Sequence, residues 1–97
     1  MRYEILIAPE AADDLKHLSA RDRSAVCDAI KTHLRYEPQK TSKSRIKRLR
    51  GVSRPEYRLR VGEFRIYYDV KGTDVEVLAI VPKLQASKWL ERHGETE

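Results

Sequence analysis

The chain has 97 residues, enough for one domain with a single core and too few for two. With 40% hydrophobic and 36% charged residues and a formal net charge of +5, it reads as a globular protein with a modest core under a heavily charged surface. No apolar run approaches the roughly 20 residues of a membrane-spanning helix, Met1–Glu4 does not open an apolar signal segment, and the single Cys27 excludes an intrachain disulfide, so a reducing cytoplasm and no membrane partner are expected.

Tyr3 to Ile7 reads as a short strand. Pro9 suits the first turn of a helix, with Glu10, Asp13 and Asp14 near its positive end. Ala11, Leu15 and Leu18 mark one apolar stripe. Ser19 and Asp22 offer cap chemistry for a second helix, which buries Val26, Ile30 and His33 or Leu34 and stops before Pro38. Cys27 lies among its apolar positions and is expected to pack as a small hydrophobe. Gln39 to Ser44 lacks periodicity and reads as a loop. Arg45 to Arg50 is short and basic, anchored only by Ile46 and Leu49, and Gly51 to Pro55 turns the chain. A strand pair follows over Tyr57–Tyr68, then a second turn at Lys71–Asp74 and a third strand from Val75 to Val81. Residues 77–81 are apolar on both faces, as in a central strand, and Pro82 ends it. Leu84 to Arg92 can form a helix with Trp89 and Leu90 available to dock, and residues 93–97 read as a frayed tail of the single domain 1–97. The fold class is therefore α+β: an N-terminal strand, a two-helix hairpin, a three-stranded antiparallel meander and a short C-terminal helix.

The strand pair carries the chemistry. With Val61 and Phe64 flanking a two-residue loop, Arg60 lies opposite Arg65 and Arg58 opposite Tyr67, so all four share one face. Tyr57, Leu59, Ile66 and Tyr68 take the other. Extending the pairing from Lys71 opposite Asp74 sets Val75 against Val70, Val77 against Tyr68 and Ala79 against Ile66, which places Leu78 and Ile80 on the cationic face as an apolar floor. Like charges directly across a ladder repel, so a sheet built only for stability avoids this arrangement, and an anionic ligand is the simplest reason to keep it. The surroundings agree: Lys40, Lys43, Arg45, Lys47, Arg48, Arg50, Arg54, Arg58, Arg60 and Arg65 are half of the 20 Lys and Arg, and only Glu56 and Glu63 oppose them over that span. Such a field attracts phosphates, an acidic protein or an anionic surface.

Guanidinium groups bind phosphate bidentately and stay charged. They neutralise the charge that develops on a phosphate when the neighbouring 2′-hydroxyl attacks during RNA cleavage. His17, His33 and His93 are scattered and form no metal-ligand spacing, so neither metal nor cofactor is expected. Arginine is a poor proton acceptor, which leaves Tyr67, Lys83 and His93 as candidate bases.

The Leu49-Arg50-Gly51 triplet, the run from Tyr57 to Val70 and the strand from Val75 to Val81 resemble the RelE/ParE superfamily of bacterial type II toxin–antitoxin toxins. The resemblance covers nearly the whole chain, because the order of elements is also that family's. It implies a toxin with a cognate antitoxin, through which any oligomer forms. RelE-like members enter the ribosomal A site and cleave mRNA without a metal, whereas ParE-like members poison DNA gyrase. The basic hairpin is similar to the RelE branch, which implies the ribosome and mRNA as partners. On that resemblance Arg65 matches the phosphate-stabilising arginine after the hairpin turn, Arg58 matches a basic residue on the preceding strand and Arg60 extends the row. Lys83 stands where a further arginine is often found, and Lys43, Arg45, Lys47, Arg48, Arg50, Arg54 and Tyr67 are expected to contact RNA. The chain departs from the family pattern at its end, where no tyrosine follows Tyr68, and at Glu56, where lysine is frequent. A gyrase poison and a non-catalytic RNA- or antitoxin-binding member therefore stand as alternatives.

Overall fold

The structure is a computed structural model and describes residues 1–96. Its elements run β1 (Glu4–Ile7), α1 (Pro9–Lys16), α2 (Ala20–Leu34), β2 (Ile46–Arg48), β3 (Val52–Arg54), β4 (Tyr57–Val61), β5 (Phe64–Lys71), β6 (Asp74–Pro82), a 3-10 turn at Lys83–Gln85, α3 (Ala86–His93) and β7 (Glu95–Thr96). The expected α+β class is observed, and β4, β5 and β6 form the expected antiparallel meander. The sheet is wider than expected. Its order is β1-β6-β5-β4-β2, with β1 parallel to β6 at one edge and β2 antiparallel to β4 at the other.

Local chemistry explains the helices. Pro9 opens α1, and the Ser19 hydroxyl accepts from the Asp22 N–H (3.1 Å) at the start of α2. Val26, Ile30 and Leu34 share one face of α2 and pack with Leu59, Ile66, Tyr68, Val75 and Val77 into the main core. His33, the alternative to Leu34, stays half-buried. Each large apolar side chain removed from water there contributes about 1.5–3 kcal/mol. Tyr68 stacks on Tyr57 at 5.4 Å, and its hydroxyl donates to the Pro38 carbonyl (2.6 Å), which ties the α2–β2 connection to the sheet.

The hairpin between β4 and β5 has the expected register, with Arg60 opposite Arg65 and Arg58 opposite Tyr67. Gly62 (φ 53°) takes the first loop position, where a positive φ suits the twist of the flanking strands and excludes most side chains.

The expected register of β6 fails beyond Val77. Val75 faces Val70 and Val77 faces Tyr68, as anticipated, but Tyr67 then pairs with Ala79 and Ile66 with Ile80. Leu78 is the extra residue of a β-bulge. The shift turns Ile80 into the main core and places Ala79 and Val81 on the cationic face instead of Leu78 and Ile80.

A carboxylate stabilises the bulge. β1 ends at Ile7, so the outer edge of β6 is unpaired beyond that point, and there Asp14 of α1 accepts from the Ile80 N–H (2.9 Å). Burial holds the Asp14 carboxyl above its ordinary 3.8, with the Ile80 bond acting against it. The folded chain therefore keeps a proton that the unfolded chain has lost. That contribution is complete below pH 3.8 and is lost as pH rises through the folded value. Asp14→Asn retains an acceptor oxygen without the titration. The variant is expected to match the parent's urea midpoint near pH 3 and to exceed it near pH 7. A variant that matches the parent near pH 3 and falls below it near pH 7 would show that the charge itself holds the bulge.

Within the tail expected to fray, Glu95 and Thr96 form a short strand. β7 pairs with β3 in a separate two-stranded sheet, and the Ser53 hydroxyl donates to the Glu95 carbonyl (3.2 Å). Residue 97 lies outside the described residues.

Candidate nucleic-acid interface

The face of the sheet away from α2 carries two cross-strand rows. One runs Lys47, Arg58, Tyr67, Ala79 across β2, β4, β5 and β6; the next runs Arg60, Arg65, Val81. Arg45 extends the second row, since its carbonyl accepts from the Arg60 N–H (2.9 Å). At the hairpin end, the Lys83 N–H donates to the Glu63 carbonyl (2.7 Å), which brings Lys83 to the rim. The fold thus gathers Arg45, Lys47, Arg58, Arg60, Arg65, Tyr67 and Lys83.

These cations differ in how they are held. Arg60 is exposed, and Arg65 is only 8% exposed. Nη1 of Arg65 donates to the Gly62 (3.1 Å) and Phe64 (3.0 Å) carbonyls, which fixes the guanidinium against its own turn and leaves three of its five N–H groups for other acceptors. Arg58 is half-buried, and its Nε is buried with no hydrogen-bond partner. Burial first, and the Arg65 charge next, push the Arg58 guanidinium below its ordinary value; Tyr67 opposes this and Arg60 adds to it. Lys47, Arg48, Leu49, Arg50 and Arg58 line a cleft of about 440 Å³ with no carboxylate in its wall.

Several like-charged pairs lie opposite each other on this sheet, and two of them are treated differently. Asp69 lies opposite Glu76, and Arg54 bridges them, with Nε 3.0 Å from Asp69 Oδ2 and Nη2 donating to Glu76 Oε1 (2.9 Å). Arg60 lies opposite Arg65 with no such bridge: among the described residues, the ion pairs include neither of them, nor Arg58, Lys47, Arg50 or Lys83. Arg54, expected to contact RNA, is thus taken up by carboxylates. Arg48 also turns away, lying opposite Tyr57 with its guanidinium 5.3 Å from that ring and 3.8 Å from Glu56. Lys43 is exposed in the loop before β2.

The acid–base candidates are less well placed. Tyr67 is 1% exposed, and burial raises its hydroxyl above the ordinary value against the opposing charges of Arg58 and Arg65. The Trp89 ring lies on it, with centroids 4.7 Å apart and planes 4° from parallel. His93 packs on Trp89 at 5.1 Å and lines a separate cavity with Glu10, Asp14, Arg54 and Glu95. Among the described residues no group of three or more His, Cys, Asp or Glu is placed to hold a metal ion, and no helix is long and apolar enough to cross a membrane.

β2 escaped the sequence reading, whereas a C-terminal helix with Trp89 and Leu90 available to dock was expected. The alternation Ile46-Lys47-Arg48 is a strand signal too short to stand out, yet it adds Lys47 to the row. Ala86, Trp89 and Leu90, at helical spacing, cover Tyr67, Ala79 and Val81 from above with help from Leu49.

The profile of a family described as "ParE toxin of type II toxin-antitoxin system, parDE" matches residues 5–86, which takes in α1, α2 and all of the main sheet but Glu4. The chain belongs to the RelE/ParE superfamily of toxins. Solved structures agree in fold. The RelB–RelE antitoxin–toxin complex from Methanococcus jannaschii is 24% identical, with a TM-score of 0.67 over 87% of this chain and 96% of that one. The RelE–RelB complex from Pyrococcus horikoshii is also 24% identical, with a TM-score of 0.69 over 86% and 97%. The chromosomal ParDE system from P. aeruginosa is 16% identical, with a TM-score of 0.63 over 84% and 96%. No curated protein matches the chain. RelE and ParE toxins thus both share the architecture, and this toxin's target has to be argued from its own surface.

Proposed function

We propose that this toxin inhibits translation as a metal-independent, ribosome-dependent mRNA endonuclease, with RNA bound on the cationic sheet face. The observation that supports this reading is the Arg60–Arg65 pair, left without a counter-ion on the same sheet where Arg54 bridges the Asp69–Glu76 pair. An RNA phosphate supplies the missing charge. In cleavage the 2′-oxygen forms a bond to phosphorus, the bond to the 5′-oxygen breaks, the 2′-hydroxyl loses its proton and the leaving oxygen gains one. Arg58, Arg60 and Arg65 neutralise the phosphate as charge builds on it, and Lys83 adds to them at the rim. Tyr67, the candidate base beside them, has its hydroxyl raised by burial, so charge neutralisation supplies most of the rate enhancement. The solved relatives are complexes with RelB or ParD antitoxins. A cognate antitoxin is accordingly the expected cytoplasmic partner here, covering the cations with an acidic or apolar segment and setting the oligomeric state.

The ParE family profile favours a second reading, a gyrase poison. Arg60→Ala separates the two. Arg60 is exposed, so its loss leaves the turn bonds of Arg65 intact. Mapping mRNA 5′ ends and gyrase-dependent DNA breaks after expression is expected to show codon-phased cuts by the parent, reduced about 100-fold in the variant. DNA breaks without such cuts would overturn the nuclease reading in favour of gyrase.

A further inference from the structure

Tyr67 is the one aromatic ring in the cationic rows; Tyr57 and Tyr68 belong to the opposite, core-facing side. It lies between two guanidinium groups, with Arg58 directly across the ladder and Arg65 two residues along its own strand. An aromatic face set among cations is what proteins use to hold single-stranded nucleic acid, where a base stacks on the ring while the backbone follows the charges. Here that face is occupied by Trp89, at the separation and near-parallel tilt of a stacked base.

The element carrying Trp89 is weakly held. α3 has eight residues and none of them is buried; Ala86, Trp89 and Leu90 are half-buried on the side that meets the sheet. A helix this short has little stability of its own in water. Beyond it, the only strand pairing among the described residues is the exposed two-residue ladder between β7 and β3. Local opening of such a segment costs less than unfolding the domain.

We propose that Trp89 fills a nucleobase subsite on Tyr67 and that α3 is a lid, displaced when single-stranded RNA binds the cationic face. The inference rests on the RNA reading above and deepens it. Exchanging the indole for a base replaces one stack by another of similar strength, so the balance is tipped by phosphates reaching Arg58, Arg60 and Arg65. Opening therefore requires a base and a backbone together. A phosphate ion alone has nothing to put in place of the indole.

Trp89 is the single tryptophan, so its emission reports the lid directly in the unmodified chain. The probe is a short single-stranded RNA with every 2′-hydroxyl methylated, which binds without being cut. Titration is expected to change Trp89 emission, while inorganic phosphate and an abasic oligonucleotide of equal length leave it unchanged. Trp89→Ala is expected to bind the RNA about tenfold more tightly, and Tyr67→Leu about tenfold more weakly. RNA binding with Trp89 emission unchanged would overturn the lid and leave the RNA reading standing. So would weaker binding by Trp89→Ala. No RNA binding by parent or variant would overturn both.

Discussion

Arg58→Met is expected to weaken RNA binding and cleavage while stabilising the fold in the same protein. Arg58 is half-buried with an unpartnered Nε, faces Lys47 on one side and Tyr67 on the other, and feels Arg65 and Arg60. Burial without a partner and the like charges of Arg65 and Arg60 make the charged group costly in the isolated protein, with only Tyr67 acting the other way. Methionine fills similar space without the charge, and such exchanges of buried ions for apolar side chains gain about 1–2 kcal/mol, or roughly 5–10 °C in a domain of this size. The cost falls on function. Removing one positioned donor from a developing phosphate charge lowers cleavage by about 100-fold, and the salt dependence of RNA binding should flatten by about one phosphate contact. Thermal denaturation and salt-dependent filter binding check the two halves separately. A variant that melts lower and binds RNA as before would show Arg58 to be a structural cation and not a ligand.

Legibility of the fold followed from how many constraints each segment carried. The β4–β5 hairpin was readable because three signals agree there: alternation at Arg58, Leu59 and Arg60, a glycine at the first loop position, and the same alternation resuming at Arg65 and Ile66. The β6 register was not, since residues 77–81 are apolar on both faces and a shift by one leaves the pattern unchanged. The bulge at Leu78 is set by tertiary partners, Asp14 on the Ile80 N–H and α3 over Ala79 and Val81, none of them adjacent in sequence. β2 was missed because three residues are too few to show a period, and its existence depends on the free edge of β4.

The candidate site divides along the same line. Arg58, Arg60, Arg65 and Tyr67 were legible as neighbours from strand pairing alone. Their inequality was not: nothing in the alternation says that Arg65 bonds its own turn, that Arg58 loses its solvent or that Trp89 lies on Tyr67. Composition alone also placed Arg54 among the cations of the interface, because its carboxylate partners, Asp69 and Glu76, are 15 and 22 residues away.

That assignment of Arg54 yields the second large effect. Arg54→Ala is expected to cost about 3 kcal/mol, a fall of roughly 10–20 °C in melting temperature. Asp69 is only 3% exposed, and its carboxylate holds two donors, the Glu56 N–H (2.8 Å) on Oδ1 and the Arg54 guanidinium on Oδ2. Removing the guanidinium leaves a buried charge with one neutral donor, directly opposite Glu76. Burial already keeps the Asp69 carboxyl above 3.8 despite Arg54, so losing that charge moves it higher still. A carboxyl raised in the folded state contributes stability that is lost as pH rises through its folded value. The gap between variant and parent should therefore widen as pH rises through the folded Asp69 value and narrow in acid. RNA binding discriminates the structural role from an interfacial one. Because Arg54 lies outside the cationic rows, the folded fraction of the variant should bind RNA with the parent's affinity when cooled well below its midpoint. An Arg54→Ala protein as stable as the parent, yet weaker on RNA, would return Arg54 to the interface and leave the Asp69–Glu76 pair as unbridged as Arg60 and Arg65.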